Sequence, residues 1–143
     1  MRVVLDSSVI VKWFKEEKDS DKALELRQAY FEEDFDVVVP DLIFYEISNV
    51  MNFDDSFETD QVKEAMKALR DMNFEVVTPH SGLLDRAIEL ADENDITIYD
   101  ASFLALADVL NAEMVTTDEK LFKKAADTDS IELLDRFVDN FER

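Results

Sequence analysis

Four acidic residues stand where an acid is costly. Asp6 directly follows the apolar run Val3-Val4-Leu5, and Asp118 lies just past Met114-Val115-Thr116-Thr117. Glu46 interrupts the apolar stretch Leu42-Ile43-Phe44-Tyr45 and Ile47, and Asp100 opens the stretch Ala101 to Ala107. A carboxylate in such surroundings must be paired, protonated or bound to a cation. Two bare carboxylates ~4 Å apart repel by ~4 kcal/mol at an effective dielectric near 20. A cluster of four therefore demands cations or raised pKa values. Oxygen-only ligation favours the hard ions Mg²⁺ and Mn²⁺. Such ions attract phosphate, generate a hydroxide nucleophile and neutralise a leaving oxygen, which makes metal-assisted hydrolysis the chemistry this set best supports.

Number alone does not single these acids out, because the chain carries 35 Asp and Glu against 15 Lys and Arg, a formal net charge of -20. Most of the others, such as Glu16-Glu17 and Glu32-Glu33-Asp34, read as solvated surface. Asp6, Asp100 and Asp118 also suit a competing structural role, capping a helix N-terminus. The strong acidity repels bare phosphate at long range, so a nucleic-acid substrate requires a metal ion, a basic patch or a basic partner.

Absences narrow the chemistry further. There is no cysteine, which removes disulfides, thiolate nucleophiles and thiolate metal sites. His80 is the only histidine and Gly82 the only glycine, so neither a GxGxxG nor a GxxxxGK[ST] phosphate loop exists. His80, between Pro79 and Ser81, reads as a surface loop residue with no catalytic part. No apolar run approaches the ~18–20 residues of a membrane span, and Val3-Val4-Leu5 is too short for a signal peptide, so a soluble intracellular protein is expected.

The elements that must position the acids alternate between two periods. Arg2 to Leu5 reads as a buried strand, and Asp6-Ser7-Ser8 leads into a helix through Val9 to Phe14. An amphipathic helix is expected over Ser20 to Glu33, then a β-branched strand, Val37 to Val39, ended by Pro40. Buried helix follows over Asp41 to Met51, a loop at Asp54-Asp55-Ser56, and helix from Thr59 to about Met72. Phe74 to Val77 is a third strand, followed by helices over Ser81 to Asn94 and Tyr99 to Leu110. Glu113 to Thr116 is a fourth strand, Asp118 starts another helix, and Ile131 to Leu134 is a fifth strand. Strands alternating with helices argue for an α/β three-layer sandwich around a five-stranded, mainly parallel sheet. No repeat or linker divides residues 1–143, so one domain is expected. In open α/β sheets ligands bind beyond the carboxyl ends of the strands, where Asp6 and Asp118 both fall.

The four acidic segments together resemble the PIN domain family. Val3-Val4-Leu5-Asp6-Ser7-Ser8 looks like its opening motif, and Pro40-Asp41-Leu42-Ile43-Phe44-Tyr45-Glu46 like its second. Tyr99-Asp100-Ala101-Ser102-Phe103-Leu104-Ala105-Leu106-Ala107 is similar to the third, and Val115-Thr116-Thr117-Asp118-Glu119-Lys120-Leu121 to the fourth. The resemblance covers essentially the whole chain, in order. It implies a five-stranded parallel sheet flanked by helices and Mg²⁺- or Mn²⁺-dependent endonuclease action on RNA, with Asp6, Glu46, Asp100 and Asp118 as catalytic and metal-binding residues. The short format looks like the VapC-type toxins of toxin–antitoxin pairs, which implies a cytoplasmic homodimer held by a cognate antitoxin. By the motif match, Ser8 and Thr116 support a water or a metal-linked oxygen. Some members carry a further acid where this chain has Lys120, which leaves open whether one metal or two bind.

Lys12, one helical turn beyond Ser8, is a candidate phosphate contact, against the plainer reading of a salt-bridged lysine. Trp13 and Phe14 read as core or interface rather than as base-stacking platforms. The apolar residues of Leu42 to Met51 and Phe53 exceed what one core buries, so part of that surface is expected to meet a second subunit or an antitoxin helix. Housekeeping RNA processing and a non-catalytic PIN-like scaffold are the alternatives within this reading. An aspartyl-phosphate phosphatase fits Asp6 after a strand, but that chemistry wants an acid at position 8, where Ser8 stands. A phosphorelay receiver lacks its paired acids and late lysine here.

Overall fold

The computed structural model describes residues 1–141. Its first strand, β1 (Arg2–Leu5), is the axis of the molecule: Val3, Val4 and Leu5 are almost fully buried. Parallel strands covered on both faces carry continuous apolar runs, and this one is β-branched as such strands prefer. β2 (Asp36–Pro40) and β4 (Glu113–Thr116) flank it, β3 (Glu75–Val77) lies outside β2, and β5 (Ile131–Leu133) lies outside β4. All four pairings are parallel, with Val4 opposite Val38 on one side and Leu5 opposite Val115 on the other. The sheet expected to be mainly parallel is thus entirely so. Proline closes β2 at Pro40, which has no amide to donate, and the Asp41 amide beyond it bonds the Val77 carbonyl (3.1 Å).

Eight α-helices occur among the described residues. α1 (Ser7–Ile10) tightens into a 3₁₀ turn at Val11–Trp13, and α2 (Ser20–Phe31) completes the first crossover. α3 (Leu42–Asn52) and α4 (Thr59–Arg70) join β2 to β3, and α5 (Ser81–Asn94) and α6 (Ile98–Val109) join β3 to β4. α7 (Glu119–Ala125) precedes β5. α6 is the centre of one layer: Ala101, Phe103, Leu104, Ala105, Leu106 and Ala107 are buried, and it packs against α5 and across β1, β2 and β4.

Most boundaries shift by a residue or two from the sequence reading, and one difference adds an element. α2 stops at Phe31, before Glu33, whose φ of 62° is left-handed and cannot continue a helix. Beyond β5 the chain forms α8 (Leu134–Phe141), which the expected order of elements does not include. Its Leu134, Phe137, Val138 and Phe141 recur at helical spacing, and Phe137 and Phe141 meet Phe35 edge to face. With glycine almost absent, the left-handed turns fall mainly to short polar residues, at Asp19, Asn73, Asp95, Asn111 and Asp129. No described helix is long and apolar enough to cross a membrane.

Candidate active site

The strand order β3-β2-β1-β4-β5 reverses direction between β1 and β4. The crossovers on either side of that point leave a crevice beyond the strand ends. Asp6 is the first residue past β1 and Asp118 the second past β4, so both open onto it.

Asp6 is the most enclosed charge among the described residues, at 5% exposure. Its backbone N–H donates to the Val115 carbonyl (3.0 Å), extending the β1–β4 ladder by one residue before the chain turns into α1. The carboxylate is held from three sides. The Ser7 amide donates to Oδ1 (2.9 Å), while the hydroxyls of Ser8 and Thr116 each donate to Oδ2 (2.8 Å). Burial pushes the Asp6 carboxyl up from the ordinary aspartate range and the charge of Asp100 adds to this, while the hydroxyls and the Ser7 amide pull the other way.

Thr116 and Ser8 tie the two strand ends together. Thr116 is fully buried, and its Oγ1 accepts from the Asp118 amide (3.1 Å), so one hydroxyl links the first and fourth acids. Ser8 Oγ lies 3.3 Å from Thr116 Oγ1 and accepts from the Thr117 amide (3.0 Å). The sequence-derived support residues therefore do sit beside Asp6.

Glu46 is half-buried on α3, and Ser7 Oγ donates to its Oε1 (2.5 Å). Burial pushes Glu46 up, and the charges of Asp6 and Asp100 add to this against the pull of Ser7. Ser7 is the site residue that sequence reasoning passes over. The signal is present, since it stands between Asp6 and Ser8 in the first turn of a helix, but its partner is 39 residues away.

Asp100 lies in the first turn of α6, where the cap is Thr97 and not Asp100: the Asp100 amide donates to Thr97 Oγ1 (3.0 Å). Its carboxyl is raised by burial and then by the charge of Asp118. Asp118 is exposed and does cap its helix, accepting from the Leu121 amide at Oδ1 (3.0 Å). Capping and site membership are therefore compatible at this position, because the second carboxylate oxygen is not used by the cap.

The four acids thus form a connected set in which Asp6 and Asp100 act on Glu46, Asp100 on Asp6, and Asp118 on Asp100. Among the described residues no three His, Asp or Glu form a ready-made shell for an ion. As a donor set, oxygen-only and short of compensating positive charge, they suit a hard divalent cation. Lys12 is buried, and its Nζ pairs with Glu17 at 3.0 Å. Lys120 lines a pocket of about 190 Å³ with Asp100 and Asp118. His80 is exposed and caps α5, its Nδ1 3.4 Å from the Leu83 amide.

An open, all-parallel α/β sheet with clustered carboxylates over its switch point defines the class of protein. Within it, the chain belongs to the PIN domain family, whose model matches residues 3–127. No curated protein matches the chain. Among solved structures it is similar to a protein of Pyrobaculum aerophilum, with 20% identity, a TM-score of 0.69 and coverage of 99% of this chain and 96% of that one. It is also similar to a chain of a toxin–antitoxin complex from Klebsiella pneumoniae, with 17% identity over 92% of this chain and 97% of that chain and a TM-score of 0.69. A third similarity is to VapBC2 from Rickettsia felis bound to a DNA fragment from their promoter, at 16% identity, 93% and 98% coverage and a TM-score of 0.69. At these identities the likeness is one of fold.

Proposed function

We propose that the chain is a single-domain, Mg²⁺- or Mn²⁺-dependent endoribonuclease of the cytoplasm and the toxin of a toxin–antitoxin pair. One observation carries the catalytic reading. Asp6, Glu46 and Asp100 are all raised above ordinary carboxylates by burial and by neighbouring acids at the crevice of a PIN fold. Structural ion networks are built to relieve such repulsion, whereas here it is kept, as functional sites keep it. Similarity to a toxin–antitoxin complex supports the toxin reading and an antitoxin partner.

Asp6, Glu46, Asp100 and Asp118 would hold the ion or ions, with Asp6 the fixed member. The bound cation supplies a Lewis acid for the phosphodiester and lowers the pKa of water. The residues of the chain itself do the positioning. Ser8 and Thr116 fix Asp6 Oδ2, and Ser7 Oγ orients the Glu46 carboxylate. Hydrolysis removes a proton from water and returns one to the leaving ribose oxygen. Glu46 is the acid suited to that traffic, because its burial leaves it more basic than an exposed glutamate.

The test is cleavage of single-stranded RNA by the purified chain with Mg²⁺ or Mn²⁺, beside Asp6→Asn and a chelated control. Metal-dependent cleavage lost in Asp6→Asn is expected. Cleavage that survives in the variant or under chelation would overturn the mechanism.

A further inference from the structure

Beside Glu46 runs a groove of about 550 Å³ that the acid site does not account for. Its volume falls in the range of small-molecule and nucleotide pockets, about 300–1,000 Å³. Two tyrosines line it, Tyr45 at 77% and Tyr99 at 62% exposure, each one residue before a site acid, Glu46 and Asp100. Exposure on this scale is unusual for an aromatic ring and wastes its capacity to bury area unless something covers it. Neither ring stacks on another aromatic ring of the chain among the described residues.

The groove continues along α4 into a second hollow of about 330 Å³, sharing Ser48, Asn52 and Val62 with the first. α4 lines this extension with Thr59, Val62, Lys63, Met66 and Arg70. That face carries no acid, although the same helix holds Asp60 and Glu64 turned elsewhere. In a chain of net charge -20 an acid-free strip stands apart from the rest of the surface. Neither Lys63 nor Arg70 has an ion pair among the described residues, whereas Lys67 on the same helix is paired with Asp71. The exposed residues Asn49 and Asn52 also line the groove, Asn52 in both of its parts.

We propose that this groove is a track for single-stranded RNA, whose bases stack on Tyr45 and Tyr99 and whose phosphates reach Lys63 and Arg70. The inference rests on the nuclease reading and deepens it by naming the substrate-binding residues. Aromatic platforms with flanking cations are how single strands are held without a base-paired helix. The asparagine amides offer both donors and acceptors to unpaired base edges. The acids lie at the tyrosine end, so the phosphates met by Lys63 and Arg70 would be those further along the strand.

The experiment measures cleavage of a labelled single-stranded oligoribonucleotide, and separately its binding by fluorescence anisotropy without divalent metal. Tyr45→Ala and Tyr99→Ala are each expected to raise KM and the dissociation constant by about five- to a hundredfold, with kcat nearly unchanged and with rescue by phenylalanine. Lys63→Ala with Arg70→Ala should lower the salt slope of binding by roughly 0.7 for each phosphate that is no longer neutralised. Folding is checked by circular dichroism, and these exposed positions leave it intact. Unchanged KM and binding in the tyrosine variants of a chain that cleaves RNA would overturn the track alone. A chain that binds RNA through these residues but cleaves none overturns the nuclease reading and keeps the track. A chain that neither binds nor cleaves overturns both. If the tyrosine variants instead dissociate an oligomer with RNA binding unaltered, the groove is a protein interface and the proposal fails.

Discussion

Asp100→Asn should make the metal-free protein more stable and less able to respond to metal. Asp100 is the hub of the acid set: its charge pushes up Asp6 and Glu46, and it is itself pushed up by burial and by Asp118. A carboxylate pair repels by about 4 kcal/mol at 4 Å and an effective dielectric near 20, falling inversely with distance. Asp100 is only half-buried, so solvent and salt reduce this, and a summed relief of about 1–2 kcal/mol is expected. For a domain of this size that is about 3–6 °C in Tm. The sign against pH follows from the raised folded-state pKa. Near pH 3 the carboxyl is protonated folded and unfolded, and the variant gains nothing. As pH rises through the unfolded value, about 3.9, and then through the higher folded value, the native protein is increasingly penalised. The advantage of Asn therefore grows from about pH 4 and is complete once the pH has passed the raised folded-state value. Mn²⁺ reverses the order, because an ion at a hundred times its Kd stabilises the native site by about 2.7 kcal/mol, and the variant gains less. Thermal unfolding with chelator and with Mn²⁺, at several pH values, reads all of this. A variant less stable than the native chain in chelator, or equal Mn²⁺ stabilisation of both, would refute the reasoning.

Two further outcomes are expected. Thr116→Val removes the hydroxyl that donates to Asp6 Oδ2 and accepts from the Asp118 amide, leaving the buried Asp6 carboxylate one donor short and the Asp118 amide without that acceptor. A loss of about 2–4 kcal/mol in urea unfolding is expected, with Thr116→Ser retaining most of the stability, and a loss below about 0.5 kcal/mol would show the tie to be unimportant. Val50 on α3 and Phe53 just past its end are exposed apolar residues, and a homodimer that covers them is expected. Sedimentation at micromolar concentration should then give twice the 16.5 kDa of the chain, and a monomer would sink the idea.

How much is legible in the sequence can be seen residue by residue. Val3-Val4-Leu5 and Met114-Val115-Thr116 announce buried strands because β-branched apolar runs of that length have few other uses, and Asp6 and Asp118 follow as strand-end acids. Glu46 and Asp100 stand out for the same reason, as charges among apolar neighbours. The match of residues 3–127 to the PIN family accords with the family resemblance those segments carry. α8 escapes it although Leu134, Phe137, Val138 and Phe141 keep helical spacing, because the short strand before it draws off Leu134.

What sequence alone determined, then, was the inventory: which acids are out of place, which chemistries lack their residues, and which alternation of elements must enclose the rest. Those are local properties, set by side-chain type and by spacing along one strand or helix. Only the tertiary structure decided the partnerships. Ser7 finds Glu46 across 39 residues and Thr116 finds Asp6 across 110, because parallel crossovers bring distant strand ends to one edge. It also decided where Lys12 ends, buried beside Glu17, and it aligned Tyr45 and Tyr99 with the acid-free face of α4. No spacing along the chain encodes such meetings, since they depend on strand order and helix packing. Burial then gives them their force: in the low-dielectric crevice the charge of Asp100 raises Asp6 and Glu46, as it would not in open water.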